Sequence, residues 1–224
     1  MKAVIFDSGT LINLSMGGLL NILVSLKKNL DVKFIITRAV KYEVIDRPMG
    51  IMRFELGALR IQKLLNSKIL EMPSSLGLND DKIAQEGKKL EELANHFIQV
   101  RGKWVRLVSE AEISCLALSD ELSKKGIENI IAIDERTTRT LCESPESLER
   151  IMSEKLHQKV TIAAENTDTF SKYKFIRSSE LVYAAYKKGL IDLQGGKVLE
   201  ALLYATKFNG AAISFEEINI LKRL

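Results

Sequence analysis

The sequence predicts an α/β fold with a mainly parallel central sheet, and three observations predict it. Short, continuously apolar runs ("AVIF", "KFII" and "NIIAI") have the composition of strands buried on both faces. Between them lie segments with apolar residues three and four positions apart, the spacing of helices that pack against a sheet. Two of the runs end in an acid, Asp7 and Asp134. That is the strand edge at which open parallel sheets bind their ligands.

Taken in order, Ala3–Phe6 is the first strand, and leucine and isoleucine spacing predicts one helix from Thr10 to about Lys27. "KFIIT" is a second strand, after which Thr37 can cap a helix over "RAVKYEVIDR" that Pro48 and Gly50 end. Leu56–Leu65 reads as a helix and "SKILEMP" as a third strand closed by Pro73. "NDDKIAQEGKKLEELANHFIQVRG" reads as one long charged helix, capped by Asn79 or Asp80. "SEAEISCLALSDELSKKG" is a helix stopped by Gly126, and "NIIAID" the fourth strand. "SPESLERIMSEKLHQ" opens with Ser144 and with Pro145 at the first helical position. A strand over 160–163 and three helices, near Ser179–Lys188, Lys197–Phe208 and Phe215–Leu224, complete the chain. No repeat or low-complexity linker interrupts it; "GLNDD" and the polar 165–174 stretch are the only seams.

Composition narrows the classes. The 224 residues are 46% hydrophobic and 28% charged, the balance of a folded domain rather than a disordered chain. No apolar run reaches the roughly 20 residues of a membrane span, and "KAVIF" is too short for a secretion signal, which predicts a cytoplasmic protein without a membrane partner. Two cysteines, Cys115 and Cys142, are too few for a disulfide framework and read as reduced core thiols. A net charge of +4 tolerates a polyanionic partner. There is no phosphate-binding glycine loop, no zinc spacing and no nucleophile elbow.

Helices offer two further acids, Glu43 in "AVKYEVI" and Glu110 at the start of "SEAEISCLA". Carboxylates crowded at one sheet edge repel unless a cation neutralises them or one takes a proton. Four there would form a hard-cation site suited to Mg²⁺ or Mn²⁺. Each acid also has a structural role open to it. Asp7 and Asp134 can cap the helices that follow, Glu43 can lie on a solvated face, and Glu135 can favour a helix N-terminus. Ser109 and Glu112 form a capping-box pair, which commits Glu112 to structure and leaves Glu110 as the better ligand.

These residues carry a resemblance. "VIFDSGTLINL" resembles the first motif of PIN-domain nucleases, "ITRAVKYEVI" the second, "SEAEISCLAL" the third and "IIAIDERTTR" the fourth, in that order over residues 2–142. Ser109 stands where glycine is more usual, and Glu135 where many members have a second Asp. The resemblance implies a three-layer α/β/α domain over 1–144, with a helical insertion near 74–106. Residues 145–224 would form a mostly helical extension packed on the same domain. It implies metal-dependent hydrolysis of RNA, with Asp7, Glu43, Glu110 and Asp134 as the acids holding Mg²⁺ or Mn²⁺. Thr10 would support Asp7, Arg139 would steady Asp134 or touch a phosphate, and Glu112 and Glu135 stand in reserve as ligands. A protein partner of antitoxin type and a homodimer through the C-terminal helices are further expectations.

Two other readings compete. One is a PIN-like module that binds RNA or protein without turnover. The other is a haloacid dehalogenase-type phosphatase, whose opening "AVIFDSGTL" also resembles. That chemistry needs a second Asp two residues after the nucleophile, and Gly9 stands there. "RGKWVR" sets Trp104 among cations; it can stack on an unpaired base or cover a helix junction. His96 and His157 are assigned to neither metal nor catalysis.

Overall fold

The computed structural model describes residues 1–162, 167–193 and 195–224. The order is β1 (Lys2–Phe6), α1 (Ser8–Met16), α2 (Asn21–Asn29), β2 (Val32–Ile35), α3 (Arg38–Lys41), a π-helical turn (Tyr42–Asp46), α4 (Met52–Asn66) and α5 (Asp80–Asn95). Next come β3 (Ile98–Val100), β4 (Lys103–Trp104), α6 (Glu110–Lys124), β5 (Glu128–Ala132), α7 (Arg136–Glu143) and α8 (Pro145–Leu156). β6 (Val160–Ile162), β7 (Phe175–Ile176), α9 (Ser178–Lys187), α10 (Val198–Phe208) and α11 (Phe215–Arg223) finish the chain. The last position of the expected 160–163 strand, and 165–166 of the expected seam, lie outside the described residues.

The chain is α/β, with helices layered about a parallel sheet of order β2-β1-β5-β7. Val4 sits opposite Phe34 on one side and Ile130 on the other, so β1 is interior and buried on both faces. Ile5, Phe6, Phe34 and Ile131 are fully buried, and the Phe6 and Phe34 rings meet edge to face at 5.3 Å. Burying each such side chain contributes roughly 1.5–3 kcal/mol. α6 is buried nearly all round. Its polar positions are therefore satisfied internally: Ser114 meets Thr37 at 2.6 Å, Ser119 meets Asn129 at 2.6 Å, and Glu121 pairs with Lys82 and Lys124.

Several expected elements take another form. The helix expected over Thr10–Lys27 is two, α1 and α2, bent by 114°. The break falls at Gly17–Gly18, where Gly18 takes φ +69°, a backbone state that side chains with a Cβ avoid. "SKILEMP" is not a full strand but a single parallel bridge from Glu71 to Ile35; the Glu71 amide donates to Phe34 O at 2.8 Å. The Glu71 carboxylate is held by Lys27 and Lys33, each at 2.9 Å, which depresses its pKa against the cost of burial. The long charged helix stops at Asn95. The apolar "FIQV" beyond it forms β3, which turns through Arg101 and Gly102 at positive φ into β4 and pairs antiparallel with β6. The insertion is thus part helix and part strand. Trp104, at the edge of this small sheet, is half-exposed and meets the His96 ring edge-on at 4.9 Å.

The last third of the chain is woven into both sheets, through β6 and β7, before it supplies α9–α11. Leu199, Leu203, Ala211, Ile213 and Ile218 form a second small core there, while Phe208, Phe215 and Ile220 face outward. No single helix among the described residues is long and apolar enough to cross a membrane.

Candidate active site

β1 ends at Phe6, and the Asp7 amide donates to Ala132 O at 2.9 Å, which sets Asp7 in the crevice between β1 and β5. The chain leaves β1 for β2 on one side and reaches β5 on the other, so this crevice is the switch point of the sheet. Asp7 caps α1 through Oδ2, which accepts from the Gly9 amide at 2.9 Å. A Cβ at residue 9 would lie 3.2 Å from that same oxygen, so glycine gives the turn its room. Oδ1 is buried and has no hydrogen-bond partner among the described residues.

The environment of Asp7 is anionic. The residue is 3% exposed, and burial, then the charge of Glu112, push its pKa up to about 7. The Gly9 and Ser8 amides pull the other way, and Glu43 adds to the rise. Glu43 lies in the π-helical turn, closed by the Arg47 amide donating to Tyr42 O at 2.9 Å. Such widened turns are rare and recur at functional sites. The Ser8 hydroxyl donates to Glu43 Oε2 at 2.6 Å. Glu112 does form the capping box, its Oε2 accepting from the Ser109 amide at 2.7 Å. It is nevertheless buried and faces the same centre. Burial, opposed by the Ser109 amide and reinforced by Glu135, raises its pKa. Glu135 caps α7, with Oε2 accepting from the Thr138 amide at 2.9 Å, Oε1 accepting from the Thr137 hydroxyl at 2.7 Å, and Lys155 at 3.5 Å.

The four residues expected to converge therefore do not all do so. Asp7 and Glu43 stand together. Glu110 is exposed, lining a cleft of about 880 Å³ with Glu43, Arg38 and Lys88 at its rim, and Glu112 occupies the inner position instead. Glu112 keeps one oxygen on the capping box and is buried, whereas Glu110, two residues earlier, lies on the exposed side of α6. Asp134 is buried and both its carboxylate oxygens are engaged by other parts of the fold. Its Oδ1 accepts from the Ser178 amide at 2.8 Å and its Oδ2 from Asn13 Nδ2 at 2.9 Å. Burial raises its pKa, while those two donors and the Arg139 charge restrain the rise. Asn13 also donates to Thr206 O at 2.9 Å, so Asp134 ties β5 to α1, α9 and α10. Arg139 acts on Asp134 through its charge and pairs with Glu143 at 3.0 Å. Thr10 makes no hydrogen bond to Asp7; its buried hydroxyl has no partner. Ser8, absent from the expected set, is the hydroxyl that joins Asp7's turn to Glu43.

No protein-family model, curated protein or solved structure matches this chain.

Among the described residues, no three His, Cys, Asp or Glu side chains stand close enough to form a ready-made metal cage. Mg²⁺ does not require one, since it keeps several waters and binds through one or two carboxylates together with substrate phosphate. Asp7 Oδ1, buried and without a partner among the described residues, is the oxygen such an ion would engage, with Glu43 and Glu112 supplying negative charge around it. Glu43 also borders a second cleft, of about 620 Å³, on the α4 side.

Proposed function

We propose that the chain is a divalent-metal-dependent ribonuclease of PIN type, acting in the cytoplasm and hydrolysing RNA phosphodiester bonds at the β1–β5 crevice. The observation that carries this reading is Asp7: a buried carboxylate with one oxygen bare, in the field of Glu112 and Glu43, is a costly arrangement that a hard cation relieves. When bound, Mg²⁺ or Mn²⁺ would activate water and offset the charge that develops on phosphate. Asp7 would hold it, with Glu43 and Glu112 supplying negative charge around it. The protein's own part is positioning. The Gly9 amide fixes Asp7, the Ser8 hydroxyl fixes Glu43, and the Ser109 amide fixes Glu112. Arg38, Arg47 and Lys88 place cations along the outer cleft for a polyanion.

Cleavage of a labelled RNA in Mn²⁺, with and without chelator, tests the reading. Wild type cuts only with metal and Asp7→Asn does not cut; equal cutting by the variant, or full activity in chelator, overturns the assignment. The glutamates give a sharper expectation. Glu112→Gln keeps a residue able to complete the capping box yet lowers cleavage by roughly 10- to 100-fold, whereas Glu110→Gln changes it less than about twofold. The opposite ranking would return Glu110 to the site.

A second reading fits the lack, among the described residues, of three acids close enough to form a cage: a module of the same fold that binds RNA without turnover. Calorimetric titration with Mn²⁺ separates the two, because a pure binder shows no divalent affinity that depends on Asp7. Phosphorylation of Asp7 during turnover would instead indicate phosphatase chemistry.

A further inference from the structure

The cleft on the α4 side has an uneven charge. Arg47, Arg53 and Arg60 line it, all three exposed, and none of them pairs with an acid among the described residues. An arginine with an acid in reach usually takes it, as Arg38 does with Asp81 at 3.2 Å and Arg139 with Glu143. Three unpaired guanidinium groups in one concavity mark a surface shaped for an anion with several charges. The sole acid in the lining is Glu43, at the end where the cleft meets the carboxylate cluster. The floor between is apolar. It includes Met16, exposed at 69%, and Phe54, exposed at 50%, and the Arg53 guanidinium sits over the Phe54 ring at 5.3 Å. A cation paired with an open aromatic ring is the combination on which an unpaired base stacks while its phosphate is held.

We propose that this cleft holds a single-stranded RNA segment flanking the scissile bond, with its phosphates on Arg47, Arg53 and Arg60 and one base stacked on Phe54. The inference rests on the nuclease reading for its substrate class and goes beyond it in placing the flanking strand and requiring that strand to be unpaired. The observations favour a single strand over the alternatives. An A-form duplex keeps its bases stacked inside and offers none to Phe54. An acidic peptide answers the arginines but not the ring. A phosphodiester strand answers the cations and the apolar floor, and it leads directly to the acid cluster.

The test is binding without metal, so that it stands apart from catalysis. Fluorescence anisotropy of a labelled octauridylate in EDTA compares wild type, Arg53→Ala/Arg60→Ala and Phe54→Ala. All three positions are exposed, so the variants keep the fold. The double arginine variant should bind about tenfold more weakly, and the slope of log affinity against log salt should fall by about 1.4, two phosphate contacts' worth for a single strand. Phe54→Ala should lose about tenfold on octauridylate and nothing on an abasic strand of equal charge. Unchanged affinity and slope in the arginine variant, equal loss on the abasic strand, or equal competition by polyglutamate each overturns the proposal. Metal-dependent cleavage with unaltered binding in these variants keeps the nuclease and rejects the cleft. Binding that shows the expected losses in a protein that never cuts keeps the cleft and rejects the nuclease.

Discussion

Asp7→Asn should make the metal-free protein more stable at pH 8 while removing its response to Mn²⁺. In the folded chain Asp7 keeps its proton until about pH 7, whereas in the unfolded chain it ionises near pH 4. Between those values the unfolded state binds fewer protons, so wild-type stability falls as pH rises from about 4 to 7 and then levels off. A shift of about three pKa units corresponds to roughly 4 kcal/mol over that window. Asparagine carries no charge and is itself a good N-cap, so the variant lacks the fall and should exceed wild type by about 2–4 kcal/mol above pH 7. Mn²⁺ narrows the gap, because it binds the ionised carboxylate: at a hundred times its dissociation constant it stabilises wild type by about 2.7 kcal/mol and the variant not at all. Chemical denaturation at pH 5 and pH 8, each with and without Mn²⁺, reads both effects. A flat wild-type profile, or equal Mn²⁺ stabilisation of the two proteins, contradicts the account given for Asp7.

Asp134→Ala should damage the fold rather than the chemistry alone. Removing its carboxylate leaves the Ser178 amide without an acceptor and deprives Asn13 Nδ2 of one of its two, all in the interior. Each stranded buried donor costs about 1–3 kcal/mol, so a loss of roughly 3 kcal/mol is expected, read as a lower denaturant midpoint. Because Asp134 pins α9 and α10, amide-exchange protection should drop first in those helices. Asp134→Asn keeps an acceptor for Ser178 and should lose less. A variant that loses metal affinity while keeping wild-type stability would show instead that Asp134 serves an ion.

Much of this was legible in the sequence because local chemistry and tertiary need agree there. The apolar runs at β1, β2 and β5 are strands, the Thr37 and Ser109 caps start helices, and α9–α11 fall within a residue or two of their expected bounds. Where they disagree, the reading failed. The break at Gly17–Gly18 was hidden inside a continuous leucine pattern. β3 was hidden because "HFIQV" extends a helical period while its partner, β6, lies far along the chain. The π-helical turn at Glu43 has no pattern of its own.

The site was legible in residue type but not in direction. α6 is buried on nearly every side, so its spacing does not say which face meets β1. Cys115, three residues after Glu112, reaches Phe6 O at 3.7 Å, whereas Ser114 turns to Thr37. That choice, invisible in one dimension, puts Glu112 rather than Glu110 beside Asp7. The end of β5 held a parallel ambiguity: Asp134 and Glu135 adjoin, and the fold engages both, Asp134 through Ser178 and Asn13 and Glu135 through Thr137 and Thr138.

The bond from Ser178 to Asp134, together with β7 beside β5, bears on how the protein is made. A ribosome has released Asp7, Glu43, Glu112 and Glu135 long before it reaches the segment that completes the central sheet. Until that segment emerges, β5 is an unprotected edge and Asp134 is an ionisable group with no tether. The nascent polypeptide therefore carries its acids early and acquires the scaffold that fixes them later, so the centre is assembled only once β7 and Ser178 have emerged.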